Sequence, residues 1–263
     1  METAVKKERL NAFFRENLNA ALGFSGGVDS AYLLWAGVQA GAQIRPYFIK
    51  TVFQPAFELE DARRLAGQIG MELTVIELNI LAEPQVAANP KNRCYSCKKA
   101  LFGALKRRAA EDGISVLLDG TNASDNGEDR PGMQAIAELE VRSPLRECGL
   151  TKAEIREESK KAGLFTWNKP AYACLATRIP AGQEITARLL EKVEQGEDAL
   201  MRMGFSDFRI RLFGEAARIQ IPAGQMEKAV EQRKEILRAL RPWFGTVLLD
   251  LQEREASVLT YPG

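Results

Sequence analysis

Ser25-Gly26-Gly27-Val28-Asp29-Ser30 packs two glycines, two hydroxyls and a carboxylate into six residues. Glycines let backbone N–H groups approach an anion closely, and a following helix N-terminus adds partial positive charge, so the string suits a phosphate. Ser25 and Ser30 supply further donors. Asp29 would repel phosphate directly and makes sense there as a Mg²⁺ ligand. The string lacks the Gly-Lys-Ser/Thr ending of loops that hold a γ-phosphate for transfer. A capped strand–helix turn with incidental glycines is the plainer alternative, but the apolar run before the string and the helical pattern after it favour the phosphate loop.

The second group able to do chemistry is the cysteines. Cys94 and Cys97 form a C-x-x-C at the head of a predicted helix, Cys148 stands alone, and Cys174 lies in Lys169-Pro170-Ala171-Tyr172-Ala173-Cys174-Leu175-Ala176-Thr177-Arg178-Ile179-Pro180. There is no histidine in the chain, so acid–base and metal chemistry fall to Cys, Asp, Glu, Lys or Tyr. Four readings of the pair stay open: unremarkable thiols, a redox pair, a Zn²⁺ site needing all four cysteines, or a three-cysteine iron–sulfur cluster on Cys94, Cys97 and Cys174 that leaves Cys148 over. For Cys174 the alternative is a buried structural thiol. Its turn-rich setting between Lys169 and Arg178 favours a thiolate. Lys98, beside the cysteine pair, is placed to stabilise pentavalent phosphorus or pyrophosphate, or is a surface lysine. Arg209 and Arg211 alternate with Ile210 and Leu212, so both leave one strand face, which suits either a substrate phosphate or a solvated face. Lys106-Arg107-Arg108 reads as a solvated helix face rather than an RNA patch.

These residues need elements to hold them. The pattern predicts a helix over Lys6 to Asn17, strands at Ala20 to Phe24, Ile44 to Lys50, Leu73 to Leu78 and Ser115 to Asp119, and helices at Ser30 to Ala40, Glu58 to Ile69 and Tyr95 to Glu111. Strands alternating with helices at this spacing indicate a parallel α/β sheet. Thr151-Lys152-Ala153-Glu154 is a capping box that opens a helix closed by Gly163. After Trp167 the character changes. A long helix from Thr186 to Met203, strands at Phe208 to Phe213 and Ala217 to Ile221, a helix entered through Pro222 and a strand from Thr246 to Leu251 read as α+β. The expected domains are therefore 1–165 and 166–263.

Composition narrows the class. Lys plus Arg (36) nearly cancels Asp plus Glu (35), which gives no overall pull toward nucleic acid or anionic lipid. Four cysteines in 263 residues are not a disulfide scaffold. No apolar run approaches a membrane span, and the first residues carry no apolar secretory segment, so the expectation is a soluble, cytoplasmic protein.

The string Ser25 to Ser30 resembles the pyrophosphate loop of the ATP pyrophosphatases. With Asp119-Gly120-Thr121-Asn122, Asp125, Arg130-Pro131-Gly132, Arg142-Ser143-Pro144-Leu145, Thr151-Lys152 and the string from Lys169 to Pro180, the chain resembles the LarE-type ATP-dependent sulfur transferases, from Ser25 to about Thr186 and more weakly beyond. The resemblance implies a PP-loop domain followed by a smaller domain for sulfur transfer, substrate and oligomer contacts. It also implies cleavage of ATP between the α and β phosphates, with Mg²⁺, to adenylate a carboxylate on a pyridinium mononucleotide. Sulfur then gives a thiocarboxylate, a step in making the nickel-pincer nucleotide cofactor. On this resemblance Gly120, Thr121, Asn122, Asp125 and Arg130 join Ser25, Gly26, Gly27, Asp29 and Ser30 around the nucleotide, and Arg178 joins Arg209 and Arg211 at the substrate phosphate. Cys174 matches the sulfur donor, which in one subset of the family becomes dehydroalanine. In another subset the cysteines matching Cys94, Cys97 and Cys174 hold a 4Fe–4S cluster carrying labile sulfide, and this chain has all three. A sulfide or other sulfur donor and a homo-oligomer are the partners implied. Thr177 stands where the family has serine, and Gln220 where it has an acidic residue. A tRNA-thiolating enzyme and a non-catalytic ATP- or iron-sensing module are the alternatives. The balanced charge argues against the first, and pyrophosphate release would exclude the second.

Overall fold

The computed structural model describes residues 2–125, 130–170 and 172–254, with residue 130 described for its backbone only. The chain divides into two compact units, 2–86 with 92–169 and 87–91 with 170–254. The second unit therefore begins at Pro170 and takes in a short segment from the middle of the first.

The first unit is an α/β domain. Strands β1 (Asn19–Gly23), β2 (Gln43–Lys50), β3 (Thr74–Glu77) and β4 (Val116–Leu118) form one sheet in the order β3-β2-β1-β4. Every pairing is parallel, with Ala20 opposite Ile44 and Val116. Parallel strands are buried on both faces, which is why β1 reads Ala-Ala-Leu rather than as an apolar–polar alternation. Alternation persists in what each residue touches. Ala20, Leu22, Ile44 and Phe48 join the core beneath helices α1 (Glu2–Glu16), α2 (Val28–Gln39) and α3 (Ala56–Ile69). Ala21, Tyr47 and Leu117 face the other layer with Leu105, Ala109 and Ile136.

After the short α4 (Pro84–Ala87), that other layer is built by α5 (Arg93–Glu111) and α6 (Arg130–Glu138). The next helices, α7 (Pro144–Glu147) and α8 (Lys152–Lys161), return to the first layer, where Leu145 and Ile155 join the core with α1 and α2. The expected capping box is present: Thr151 accepts from the Glu154 amide and Glu154 returns the bond. The short helices at 84–87 and 144–147 were not expected, because four residues carry too little period to read.

In the second unit, α9 (Ala187–Arg202) buries Leu190, Val193 and Leu200 against a three-stranded sheet. Its strands are β5 (Arg209–Phe213), β6 (Ala216–Gln220) and β7 (Val247–Leu249), β5 antiparallel and β7 parallel to β6. The single helix expected after Pro222 is a 3₁₀ turn followed by α10 (Met226–Glu231) and α11 (Arg233–Leu240), which meet at Gln232.

Candidate functional site

In the sheet order the sequence direction reverses between β1 and β4, and such a switch point leaves a crevice beyond the strand C-termini. Both loops singled out above open into it. The Ser25–Ser30 loop leaves β1, with Gly27 as the N-cap of α2, so the amides of the first turn point into the crevice. Gly26 has φ +70°, and a Cβ there would lie 3.0 Å from the Ala62 backbone; no other residue serves at this corner. Ser25 and Ser30 hydroxyls stand 3.2 Å apart, and Ser30 also donates to the Gly27 carbonyl.

The loop after β4 closes on the first. A Cβ on Gly120 would sit 2.9 Å from the Ser30 nitrogen, so the two loops touch backbone to backbone. Asp119 is buried and accepts from the Ser143 hydroxyl at 2.7 Å, from the Thr121 amide at 3.2 Å and from the Thr121 hydroxyl. Burial pushes its carboxyl up against these bonds, and Lys98 on α5 is close enough to pull it back. Asn122 is buried; its side chain reaches Asp29 at 3.4 Å and its amide donates to Asp125 at 2.8 Å. Ser25, Gly26, Gly27, Asp29, Ser30, Lys98, Gly120, Thr121, Asn122 and Asp125 thus gather at one edge of the sheet. The Arg130 side chain lies outside the described residues.

One residue of this edge carried no assigned role in the sequence reading. Lys152 forms an ion pair with Asp29 from the first position of α8. Burial raises the Asp29 carboxyl and Lys152 opposes that rise. A signal was present in the sequence: a cation in the first turn of a helix opposes the helix dipole, so Lys152 directly after its N-cap needs a partner. Next to the loop, Phe24, Tyr47, Phe48, Ile49, Leu101 and Phe102 line an apolar cavity of about 150 Å³. A flat aromatic base fits such a lining.

Cys94 is exposed and Cys97 half-buried, one helical turn apart on one face of α5, which is suitable spacing for two ligands to one metal centre. Cys174 belongs to the second unit. Among the described residues no three Cys, Asp or Glu side chains form a group that could hold a metal ion. Cys94 and Cys97 lie in the first unit and Cys174 in the second, and no step is derived through a cluster on the three. Cys148 is buried between Leu145 and Leu150 in the core, and burial pushes its thiol up.

In the second unit Cys174 is half-buried and caps a 3₁₀ turn, Leu175–Arg178. Arg178 does not match the phosphate-binding role expected of it. It is 1% exposed, and its donors go to Glu197, to the Ala173 carbonyl and to Thr177. Burial works against its charge, but Glu197 outweighs burial and holds its pKa above the ordinary arginine value. Arg209 and Arg211 do share a strand face, with Arg218 opposite Arg211 on β6. Arg209 is buried and pushed down to about 10 by burial and by Arg178 and Arg254, whereas Arg211 is exposed. Gln220 bonds Asp250 at 2.7 Å and Arg218 pairs with the same carboxylate, so a carboxylate absent from 220 is present one strand away.

A parallel sheet with a glycine-rich anion loop at its switch point, and no lysine in that loop, defines a PP-loop nucleotide domain. No protein-family model matches the chain. It is 37% identical to the uncharacterized protein slr1717 of Synechocystis, over 97% of this chain and 96% of that one. It is 28% identical to the pyridinium-3,5-bisthiocarboxylic acid mononucleotide synthase of Lactiplantibacillus plantarum, over 94% of this chain and 91% of the synthase. The tRNA-specific 2-thiouridylase MnmA of Pseudothermotoga lettingae matches 55% of this chain at 27% identity. The chain belongs to the LarE-type ATP-dependent sulfur transferases of the PP-loop superfamily. Among the described residues no helix is long and apolar enough to cross a membrane.

Proposed function

We propose that this protein adenylates a carboxylate of a pyridinium mononucleotide with ATP and then replaces the AMP with sulfur, giving a thiocarboxylate, as one step in making a nickel-pincer nucleotide. The observation that supports this most is the convergence of Ser25–Ser30, Asp119–Asn122 and Lys152 at the switch point of a sheet whose loop has no transfer lysine. The relative named as a mononucleotide synthase, similar over nearly the whole chain, supports the substrate class. The thiouridylase matches only about half of this chain, and the +1 net charge argues against tRNA, whose binders usually carry a broad basic surface.

The adenine occupies the apolar cavity beside Phe24 and Phe48, and the phosphates lie on the first turn of α2. Asp29 and the Ser30 hydroxyl would hold Mg²⁺, which neutralises charge on the phosphates. The substrate carboxylate attacks the α-phosphorus and pyrophosphate leaves, drawn by the α2 amides and by Lys98 and Lys152. Asp119 fixes Thr121 and Ser143 so that the second loop keeps its shape as charge moves. The Cys174 thiolate then attacks the acyl carbon and AMP departs. Breaking the Cβ–Sγ bond, with loss of the Cα proton, leaves sulfur on the substrate and dehydroalanine at 174. The substrate phosphate lies on Arg211, with Arg209 behind it.

The assay is ATP, Mg²⁺ and a carboxylated pyridinium mononucleotide, followed by mass analysis of product and protein. AMP, pyrophosphate, a thiocarboxylate and protein lighter by one H₂S are expected. ADP and orthophosphate would refute the reading. Cys94 and Cys97 on one helix face favour a second reading, in which the sulfur is cluster sulfide; brown protein with iron, acid-labile sulfide and an unchanged mass at Cys174 would establish it.

A further inference from the structure

In the second unit a single carboxylate holds two features. Glu197, on α9, is 1% exposed and accepts four hydrogen bonds. Arg178 donates through Nε at 2.8 Å and Nη2 at 3.1 Å, the Tyr172 hydroxyl donates to Oε2, and the Ile210 amide donates at 2.9 Å. Tyr172 and Arg178 bracket Cys174. Arg178 then reaches back, with Nη1 donating to the Ala173 carbonyl at 2.8 Å and approaching that of Cys174 at 3.4 Å. The Tyr172 ring packs under two guanidiniums, with Arg178 at 4.7 Å and Arg209 at 5.0 Å from its centroid. The loop carrying the sulfur is thus tied to Glu197 from both ends.

The fourth bond points elsewhere. Ile210 lies on β5 between Arg209 and Arg211, and Arg211 Nη1 comes within 3.4 Å of the Thr177 carbonyl. One carboxylate therefore sets both the Cys174 loop and the strand with the two arginines. A buried Arg–Glu pair is a poor source of stability, because well-packed apolar residues usually do as well. What it provides here is geometry: removing charge or acceptors at 197 releases both groups together.

We propose that Glu197 is a positioning residue that fixes the distance between the Cys174 sulfur and the phosphate subsite at Arg209 and Arg211. It thereby selects substrates whose phosphate and activated carboxyl are separated by that span. The inference rests on the reading of Cys174 and the arginines given above. A nucleotide anchored on Arg211 can present its acyl-adenylate to Sγ only if the loop and strand keep this register.

The test compares wild type with Glu197→Gln, Glu197→Asp and Tyr172→Phe at saturating mononucleotide, and repeats the measurements with the phosphate-free nucleoside. Glu197→Gln should leave pyrophosphate release within about twofold and lower thiocarboxylate yield per turnover by about 10²-fold, the size expected of a small misplacement at a reacting centre. It should also erase most of the preference for the nucleotide over the nucleoside. Glu197→Asp keeps the charge and should recover part of both. If Glu197→Gln does not fold, Tyr172→Phe removes one donor without touching charge and should show the same split in smaller measure. Wild-type yield and nucleotide preference in either folded variant would overturn the proposal. A merely structural role would lower pyrophosphate release and sulfur transfer together, and that result would overturn it as well. Failure of the functional reading is distinct, since the wild type itself would then form no thiocarboxylate.

Discussion

At the scale of single residues, Asp29 and Lys152 form the pair with the clearest consequence for chemistry. Asp29 is held between Lys152 and Asn122 at the head of α2. Asp29→Asn keeps the shape and removes the carboxylate, and it should abolish most pyrophosphate release, measured with saturating ATP and Mg²⁺. Lys152→Met removes the cation from a side chain that is 30% exposed, so the fold should persist. Pyrophosphate release in Lys152→Met should fall by at least tenfold, about 1.4 kcal/mol in barrier height. Cys174 and Cys148 offer the opposite contrast. Cys174→Ser should eliminate thiocarboxylate while adenylation continues, because in the proposed mechanism the two steps use residues of different units. Cys148→Ala removes a buried core thiol and should cost about 0.5–3 kcal/mol by denaturant titration, with sulfur transfer intact.

The element scale belongs to α8 and to the loop after β4. Lys152 points into the crevice because the start of α8 is pinned: Glu154 accepts from Thr151, from Lys6 at 3.0 Å and from Thr3 at 2.9 Å. Burial works against the Glu154 charge, but these bonds outweigh it and hold the carboxyl at about 2. A carboxyl depressed in the folded state adds stability that is complete above its unfolded value and is lost as pH falls towards its folded value. The stability difference between wild type and Glu154→Gln should therefore shrink from about pH 5 to pH 3, measured by urea unfolding at each pH. Gly120→Ala would set a methyl 2.9 Å from the Ser30 backbone nitrogen. Neither loop can yield without losing the phosphate cradle, so ATP affinity should drop and stability should fall by about 1–3 kcal/mol.

For the whole molecule, the proposed reaction divides between two units: nucleotide chemistry would fall to the switch point of a parallel sheet, and sulfur and phosphate recognition to a small α+β unit. The near-zero net charge bears on the choice of partner. Added tRNA should leave AMP formation unchanged, whereas a carboxylated pyridinium mononucleotide should stimulate it. Stimulation by tRNA alone would instead favour a thiolating enzyme of the kind that matches half of the chain.

Much of this was legible in the sequence because it depends on local order. Apolar runs such as Ala20 to Leu22, the glycine-rich string after them and the Thr151–Glu154 box each carry their signal within a few neighbouring residues. The parallel sheet follows from strand–helix spacing, and the family from strings at the site itself. Relations between distant residues were not legible. Lys152 meets Asp29 across 123 positions, and Glu197 meets Arg178 and the Ile210 amide from a different element. The phosphate role for Arg178 came from the family resemblance, and a linear string does not show what its guanidinium faces. Whether its guanidinium faces a substrate or a buried carboxylate depends on which helix packs above it, and packing is a property of the folded chain alone. The same holds for Gln220, whose missing carboxylate is offset by Asp250 only because β6 and β7 lie side by side.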